Sequence, residues 1–521
     1  MRRLLHRLPV RLRHHWKVVA ACGLFFAALV GLAGTTRVTP IVTSDERAEA
    51  AVVTQDVTGT VDLFDGTKPH RLTLSYSDDD YQRMLDQYWE DGEKEYVEAD
   101  LVIDGTALDS VGIRLKGNST LAALTRNGER APNGFGGRAM GGGGPAGGGA
   151  FGGGAPPAGA PGGGAPGGAF GGGGPGGGFG GMGALKAEEP ESLPWLISFD
   201  EYVKGRRYQG RTEIAVRPAG RGGSTGLNEA VALTLTGASG EPSQEYAYST
   251  FTVNDRPTVT RLLVEHPDQT YADALTDDGV LYKSRASSQF TDQGGDPTDY
   301  QDDFDQINLK GSQDLQPVID LIRWVEGASD QEFAAGLADR VDVPSLARYV
   351  ALQNLLLNFD DMSGPGKNYY LYYNLDTKKF TVLTWDLNLA LSGDANQGPH
   401  DAGRMGGFRM PAGGATAPDG GAAAPGGGQG PGGGGPSMGH PLKDRFLAAS
   451  AFTQVYEDAY RDLYHKLYAS GAATAAVDRA VAARTANGGD QSTADQEAAT
   501  LRTLIANRTK SLAANEVIAR S

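Results

Sequence analysis

The residue types best suited to chemistry lie between Asn358 and Asp386. A helix end carrying Asn358, Asp360 and Asp361 is followed by a Gly-rich turn, then Asn368, then a strand pair that closes on Trp385-Asp386. Two carboxylates and an amide in that order are what transfer of a phosphoryl group from ATP needs. One acid orients or deprotonates the acceptor, while an amide oxygen and a second acid hold a divalent metal on the phosphates. A plainer alternative stands beside this one. Asp360, Asp361 and Ser363 are also common cap and turn residues, Asn368 starts a strand and Asp386 ends one, and spacing alone favours that structural role.

Other chemistries find less support. The single cysteine, Cys22, lies in an apolar run, so disulfides, a thiolate zinc cage and a surface cysteine nucleophile are not available. No histidine pair has helical ligand spacing in the folded part. The acids Asp299, Asp302, Asp303 and Asp305 lack the Gly and terminal Glu of a calcium loop. Gly220 to Gly226 precedes a helix but lacks the Gly-Lys-Ser/Thr of a P-loop. A formal charge of −16 argues against a broad basic surface for nucleic acid or anionic lipid.

The elements that position Asn358–Asp386 are legible from periodicity. Arg71 to Tyr76 has strand character, and Asp78 opens a helix with Tyr81, Met84, Leu85 and Tyr88 on one face. Val57 to Val61 also alternates like a strand. Tyr96 to Leu101 and Val111 to Leu115 flank Asp104-Gly105, a dipeptide suited to a tight hairpin. Trp195 to Phe199 and Arg211 to Val216 read as strands joined by a turn at Lys204-Gly205, and Leu227 to Leu235 as a helix. Tyr246 to Val253 and Thr258 to Glu265 form a second hairpin, and Gly279 to Lys283 a further strand. Helices follow at Leu315 to Glu326 and Val343 to Asn358, the latter opened by Asp342 as N-cap with Pro344 in its first turn. Tyr369 to Tyr373 and Lys379 to Thr384 pair as a hairpin, and the chain is helical from Leu442 onward with breaks near Gly471 and Gly488. The fold class is therefore α+β, strand-rich first and helix-rich after.

Around this unit lie segments of another kind. Residues 1–17 are basic and 18–36 largely apolar, a pattern that predicts a cytoplasmic flank and a transmembrane anchor, with a cleaved signal segment as the alternative. Residues 37–56 read as a stalk and 57–521 as one domain. The 76 glycines are concentrated in insertions at 132–183 and 405–439, whose composition predicts disorder. The expected location is the cell membrane, single-pass, with the C-terminal domain extracytoplasmic, or secreted if the signal is cleaved.

Several motifs occur in a specific order. They are Val111-Gly-Ile-Arg-Leu-Lys-Gly-Asn-Ser-Thr120, Ser198-Phe199-Asp200-Glu201-Tyr202, Asn228-Glu229-Ala230, Leu263-Val264-Glu265, Leu281-Tyr282-Lys283, Asn358-Phe359-Asp360, Lys367-Asn368-Tyr369-Tyr370-Leu371-Tyr372 and Thr384-Trp385-Asp386-Leu387-Asn388. This series resembles the CotH family of spore-coat kinase-like proteins over about Val57 to Tyr468, outside the Gly-rich tracts. The resemblance implies an atypical protein-kinase-like fold with a strand-rich N-lobe and a helix-rich C-lobe. It also implies binding of ATP with Mg²⁺ or Mn²⁺ and phosphoryl transfer, expected to go to Ser or Thr of exported or envelope proteins; with the acidic charge, no nucleic-acid partner is expected. Carried over, Asp360 is the catalytic acid and Asp386 and Asn368 are the metal ligands. Lys283, Lys116 and Arg114 are available to the nucleotide phosphates, with Glu265 positioned to pair such a cation. Many relatives carry a basic residue just before the segment matching Leu193 to Ile197, where this chain is apolar. A non-catalytic envelope scaffold that keeps the fold is the rival expectation.

Overall fold

The computed structural model describes residues 53–117, 120–121, 124–131, 185–219, 226–275, 278–401 and 439–520. The anticipated flank and anchor at 1–36, most of the stalk and almost all of both Gly-rich tracts lie outside these residues, as do Asn118, Ser119 and 220–225. Among the described residues no helix is long and apolar enough to cross a membrane. Helices and sheets are mixed.

Seven strands close into a barrel: β1 (His70–Ser75), β2 (Val97–Ile103), β3 (Thr106–Leu115), β4 (Trp195–Ser198), β5 (Glu213–Val216), β6 (Tyr246–Val253) and β7 (Val259–Glu265). Their order around the barrel is β6-β7-β5-β4-β3-β2-β1, with β6 returning to β1 in parallel. Asp104 and Gly105 both adopt positive φ and make the two-residue β2–β3 turn. Helix α1 (Asp78–Glu90) is capped by Ser77, whose Oγ accepts from the Asp80 N–H at 3.1 Å, and three aspartates in its first turn complement the helix dipole. It buries Tyr81, Met84, Leu85 and Tyr88 against the barrel core, each of order 2 kcal/mol by area removed from water.

The Val57–Val61 strand forms earlier than expected, as Gln55–Val57, because it pairs in parallel with Arg206–Tyr208. That three-residue strand occupies what reads in sequence as a simple turn between β4 and β5. Gly59, two residues past the end of this pairing, adopts φ +66°.

Helix α2 (Leu227–Ser239) follows β5, and a second sheet then forms from β8 (Gly279–Ser284), β9 (Phe304–Gln306), β10 (Tyr369–Asn374) and β11 (Phe380–Thr384) in the order β9-β8-β10-β11, all antiparallel. The longer helices of this part are α3 (Gln316–Gly327), α4 (Val343–Leu355), α5 (Pro441–Ala448), α6 (Thr453–Tyr464), α7 (Ala472–Ala486) and α8 (Gln491–Ala513); α4 packs on β11, and α7 and α8 pack on α2. One apolar cluster fills the barrel with α1, and a larger one joins α2, the second sheet and the later helices. Residues of the two assemblies meet around Trp385.

Candidate active site

Asp360 stands in the loop that leaves α4. Asp342 caps the start of α4 by accepting from the Ser345 N–H at 2.9 Å, and the helix gives out at Leu356 and Leu357, the latter at φ +51°. The loop beyond is tied back twice. Asn358 Nδ2 donates to Gln353 Oε1 at 2.8 Å, and Gln353 Nε2 donates to Thr384 Oγ1 at 2.9 Å. Thr384 is the last residue of β11, directly before Trp385-Asp386, so one hydrogen-bond chain links the Asp360 loop to the Asp386 turn.

The carboxylate of Asp360 is 7% exposed as a residue and is gripped on both oxygens. Oδ1 accepts from the Gly366 N–H at 2.6 Å and Oδ2 from Asn368 Nδ2 at 3.0 Å. Burial, with the charges of Asp386 and Asp361 adding to it, pushes the Asp360 carboxyl up to about 7, while its hydrogen bonds pull it down. A carboxyl near neutrality suits proton transfer from a hydroxyl. The tight turn requires glycine at 366. A Cβ there would lie 2.6 Å from Asn368 Nδ2 and 2.7 Å from Asp360 Oδ2.

Asp386 adopts a left-handed backbone, φ 52°, an uncommon conformation for a non-glycine residue. Its Oδ1 accepts from Arg217 Nη2 at 2.8 Å, and the same nitrogen reaches Glu229 Oε1. Arg217 directly follows β5, and Glu229 sits in the first turn of α2. Asn228 Nδ2 donates to the carbonyls of Asn388 at 2.7 Å and Ala390 at 3.1 Å, locking the start of α2 onto the turn after Asp386.

The cations converge on Trp385. Lys116, just beyond β3, and Lys283, on β8, place their Nζ atoms 5.1 and 5.2 Å from the Trp385 ring centroid. Burial drives both lysines below their usual range. Lys116 is further lowered by the charges of Lys283 and Arg217, while Asp386 opposes the shift. The edge of His266 meets the same indole at 5.6 Å, and its Nδ1 lies 2.8 Å from Glu213 Oε2. Glu213 also accepts from Tyr96 OH at 2.9 Å, and Arg114 stacks over the Tyr96 ring at 5.1 Å. Lys94 belongs to the same field: burial, then Arg114 and Lys283, lower it to about 8. An anion entering here would be welcomed by cations that are partly desolvated already.

The structure thus puts Asp360 and Asn368 in direct contact and Asp386 within electrostatic reach of them, with Lys116 and Lys283 beside Asp386 on Trp385. Arg114 lies at the edge of the group. Glu265 does not pair with a site lysine: its Oε1 is 3.4 Å from Arg211 Nε, and its Oε2 accepts from the Glu245 N–H at 3.1 Å. The reason is its strand register, because β7 sets Glu265 beside Ile214 and so within reach of Arg211, two residues before β5. Glu229 is the acid that pairs with a cation here, and the cation is Arg217. Neither is assigned a role by the sequence reading, although Asn228-Glu229-Ala230 is among its ordered motifs. Arg217 has no motif of its own, and only its position at a strand end next to a Gly-rich loop distinguishes it.

Among the described residues no group of three or more His, Cys, Asp or Glu forms a ready-made metal cage. The available donors are the Asp386 carboxylate and the Asn368 amide oxygen, since Nδ2 of Asn368 is spent on Asp360. A small all-oxygen set fits Mg²⁺ or Mn²⁺, which are commonly held by one or two carboxylates, water and substrate phosphates.

The chain has no significant match among curated proteins. Residues 182–512, more than half of the chain, match the family described as CotH kinase protein. The match takes in Arg217, Glu229, Lys283, Asp360, Asn368 and Asp386 and begins after Arg114 and Lys116. With the ordered motifs and the site they build, this places the chain in the CotH kinase family.

Proposed function

We propose that this kinase-like protein is an ATP- and divalent-metal-dependent phosphotransferase acting on Ser or Thr hydroxyls of exported or cell-envelope proteins. On this reading the barrel with α1 serves as the N-lobe of an atypical kinase fold, and the second sheet with its helices serves as the C-lobe. Segment 18–36 anchors it in the membrane, with the folded part outside the cytoplasm.

The observation that carries the proposal is the shared placement of Asp360, Asn368 and Asp386 with Lys116 and Lys283 on Trp385. Asp386 and Asn368 would hold Mg²⁺ or Mn²⁺, which when bound neutralises charge on the transferring phosphates. Lys116 and Lys283 supply further positive charge to the triphosphate, and their partial desolvation makes that charge count for more. Asp360, fixed by Gly366 and Asn368, orients the acceptor hydroxyl and takes its proton. Arg217, just past the end of β5 and itself paired with Glu229 of α2, holds Asp386 in place.

Calorimetry of the full chain with ATP and Mn²⁺, beside transfer of labelled γ-phosphate to itself or to envelope proteins, tests the proposal. Asp386→Asn is expected to abolish metal-dependent nucleotide binding. Asp360→Asn is expected to keep binding and lose transfer by about 10²-fold or more. A wild-type chain that binds no nucleotide and transfers no phosphate would overturn it.

A further inference from the structure

The residues just beyond the second Gly-rich tract make a set of contacts that the proposed chemistry does not by itself call for. Asp361, next to the acid that orients the acceptor, is only 2% exposed. Its Oδ1 accepts from the Ser363 N–H at 2.8 Å, and its Oδ2 takes an ion pair from Lys443 Nζ. Lys443 lies in the first turn of α5, where a cation opposes the helix dipole. A buried carboxylate needs a charged partner, and this lysine meets that need from an element far along the chain.

The neighbours of Lys443 repeat the connection. The Gly439 N–H donates to Ser363 O at 2.9 Å, and Lys367 Nζ donates to Gly439 O at 3.1 Å. His440 Nε2 lies 3.0 Å from Tyr369 OH, and Tyr369 is the residue after Asn368. From the other side Tyr349 OH of α4 accepts from the Met362 N–H at 3.2 Å. Contacts at 361, 363, 367 and 369 therefore run from the residue after Asp360 to the residue after Asn368, all made by the same short segment, Gly439 to Lys443.

We infer that Lys443, through its ion pair with Asp361, is a positioning residue that clamps the loop carrying Asp360 and Asn368. The inference rests on the reading of Asp360 as the acceptor-orienting acid for its kinetic consequence, and on the contacts alone for its structural one. On this inference Lys443 acts through Asp361 and not by binding substrate or metal. It acts by fixing where Asp360 stands, and a small displacement of an orienting group is enough to cost about 10²-fold in rate.

The experiment compares the full chain with Lys443→Met, Lys443→Arg, Asp361→Asn and the Lys443→Met/Asp361→Asn double variant. Amide hydrogen exchange across 358–368 is read together with kcat and the KM for ATP. The clamp predicts faster exchange in that loop in Lys443→Met, a kcat lower by about 10- to 100-fold with KM for ATP nearly unchanged, and recovery of most of both in Lys443→Arg. The double variant should be no worse than Lys443→Met, because the buried charge no longer needs its partner. It also supplies a folded protein if Lys443→Met alone does not fold. Unaltered exchange in the loop together with unaltered kcat in a folded variant lacking Lys443 would overturn the clamp. Absence of transfer by the wild type overturns the kinase reading instead, and the exchange data then decide the clamp by themselves.

Discussion

Arg217 Nη2 and Asp386 Oδ1 lie 2.8 Å apart although 169 residues separate them in the chain. The same guanidinium nitrogen reaches Glu229, so one side chain joins the barrel, the start of α2 and the Trp385-Asp386 turn. Of the two carboxylates it holds, the Glu229 side chain is only 3% accessible and that of Asp386 is partly exposed.

Removing the guanidinium should therefore cost more than an ordinary surface pair. Arg217→Met leaves Glu229 buried and unpaired, and urea unfolding is expected to show a loss of about 3–5 kcal/mol. Arg217→Lys should recover only part, because an ammonium lacks the planar fork that spans two carboxylates. Equal stability of wild type and Arg217→Met would show that the bridge is incidental.

Trp385 provides the surface on which Lys116 and Lys283 rest, one from each sheet assembly. Each cation–π contact contributes roughly 0.5–2 kcal/mol at a desolvated site. Trp385→Leu is expected to weaken Mn²⁺-ATP binding by about 10-fold in calorimetry, and Trp385→Phe, which keeps a π face, by clearly less. If the leucine and phenylalanine variants bind alike, the ring acts only as bulk.

Much of this architecture is legible in sequence where local physics decides it. Asp104-Gly105 announces its hairpin because few other residues tolerate two successive positive φ values, and α1 announces its buried face through Tyr81, Met84, Leu85 and Tyr88. The hairpin β6–β7 follows from alternation, and β10 and β11 read as a hairpin across Asn374 to Lys378. What stays hidden is non-local. The parallel closure of β6 on β1 leaves no periodic trace, and Arg206–Tyr208 is too short to register as a strand. In the site, Asp360, Asn368 and Asp386 stand out by type and order. Arg217 does not, because a lone arginine at a strand end looks like any solvated charge until the fold brings two acids to it. Glu265 is the converse: its motif draws attention, and strand register delivers it to Arg211.

Gly366 lets the site close tightly on itself. Its backbone φ is not in the left-handed range, so substitution there tests space rather than conformation. A methyl group would press on both Asp360 Oδ2 and Asn368 Nδ2. Gly366→Ala is expected to lower phosphoryl transfer by about 10²-fold while costing only about 1–3 kcal/mol in urea unfolding. Full activity in this variant would mean that Asp360 is not held where the structure has it.

His70, at the start of β1, offers a pH-dependent test. It is 2% exposed, with Nδ1 2.8 Å from Asp104 Oδ2 and Nε2 3.1 Å from the Asp65 carbonyl. Burial works against its charge, but the hydrogen bonds to Asp104 and Asp65 and their nearby charges outweigh that and raise its pKa above 6.5. Only the imidazolium can donate from both nitrogens at once. Because the folded pKa lies above the unfolded one, the stabilisation is complete below the unfolded value and is lost as pH rises through the folded value. Unfolding free energies taken from about pH 5.5 to about pH 8.5 should therefore fall across that window in the wild type. They should fall less in His70→Gln, which keeps a polar side chain but cannot titrate. Parallel curves for the two proteins would mean that the buried imidazole stays neutral.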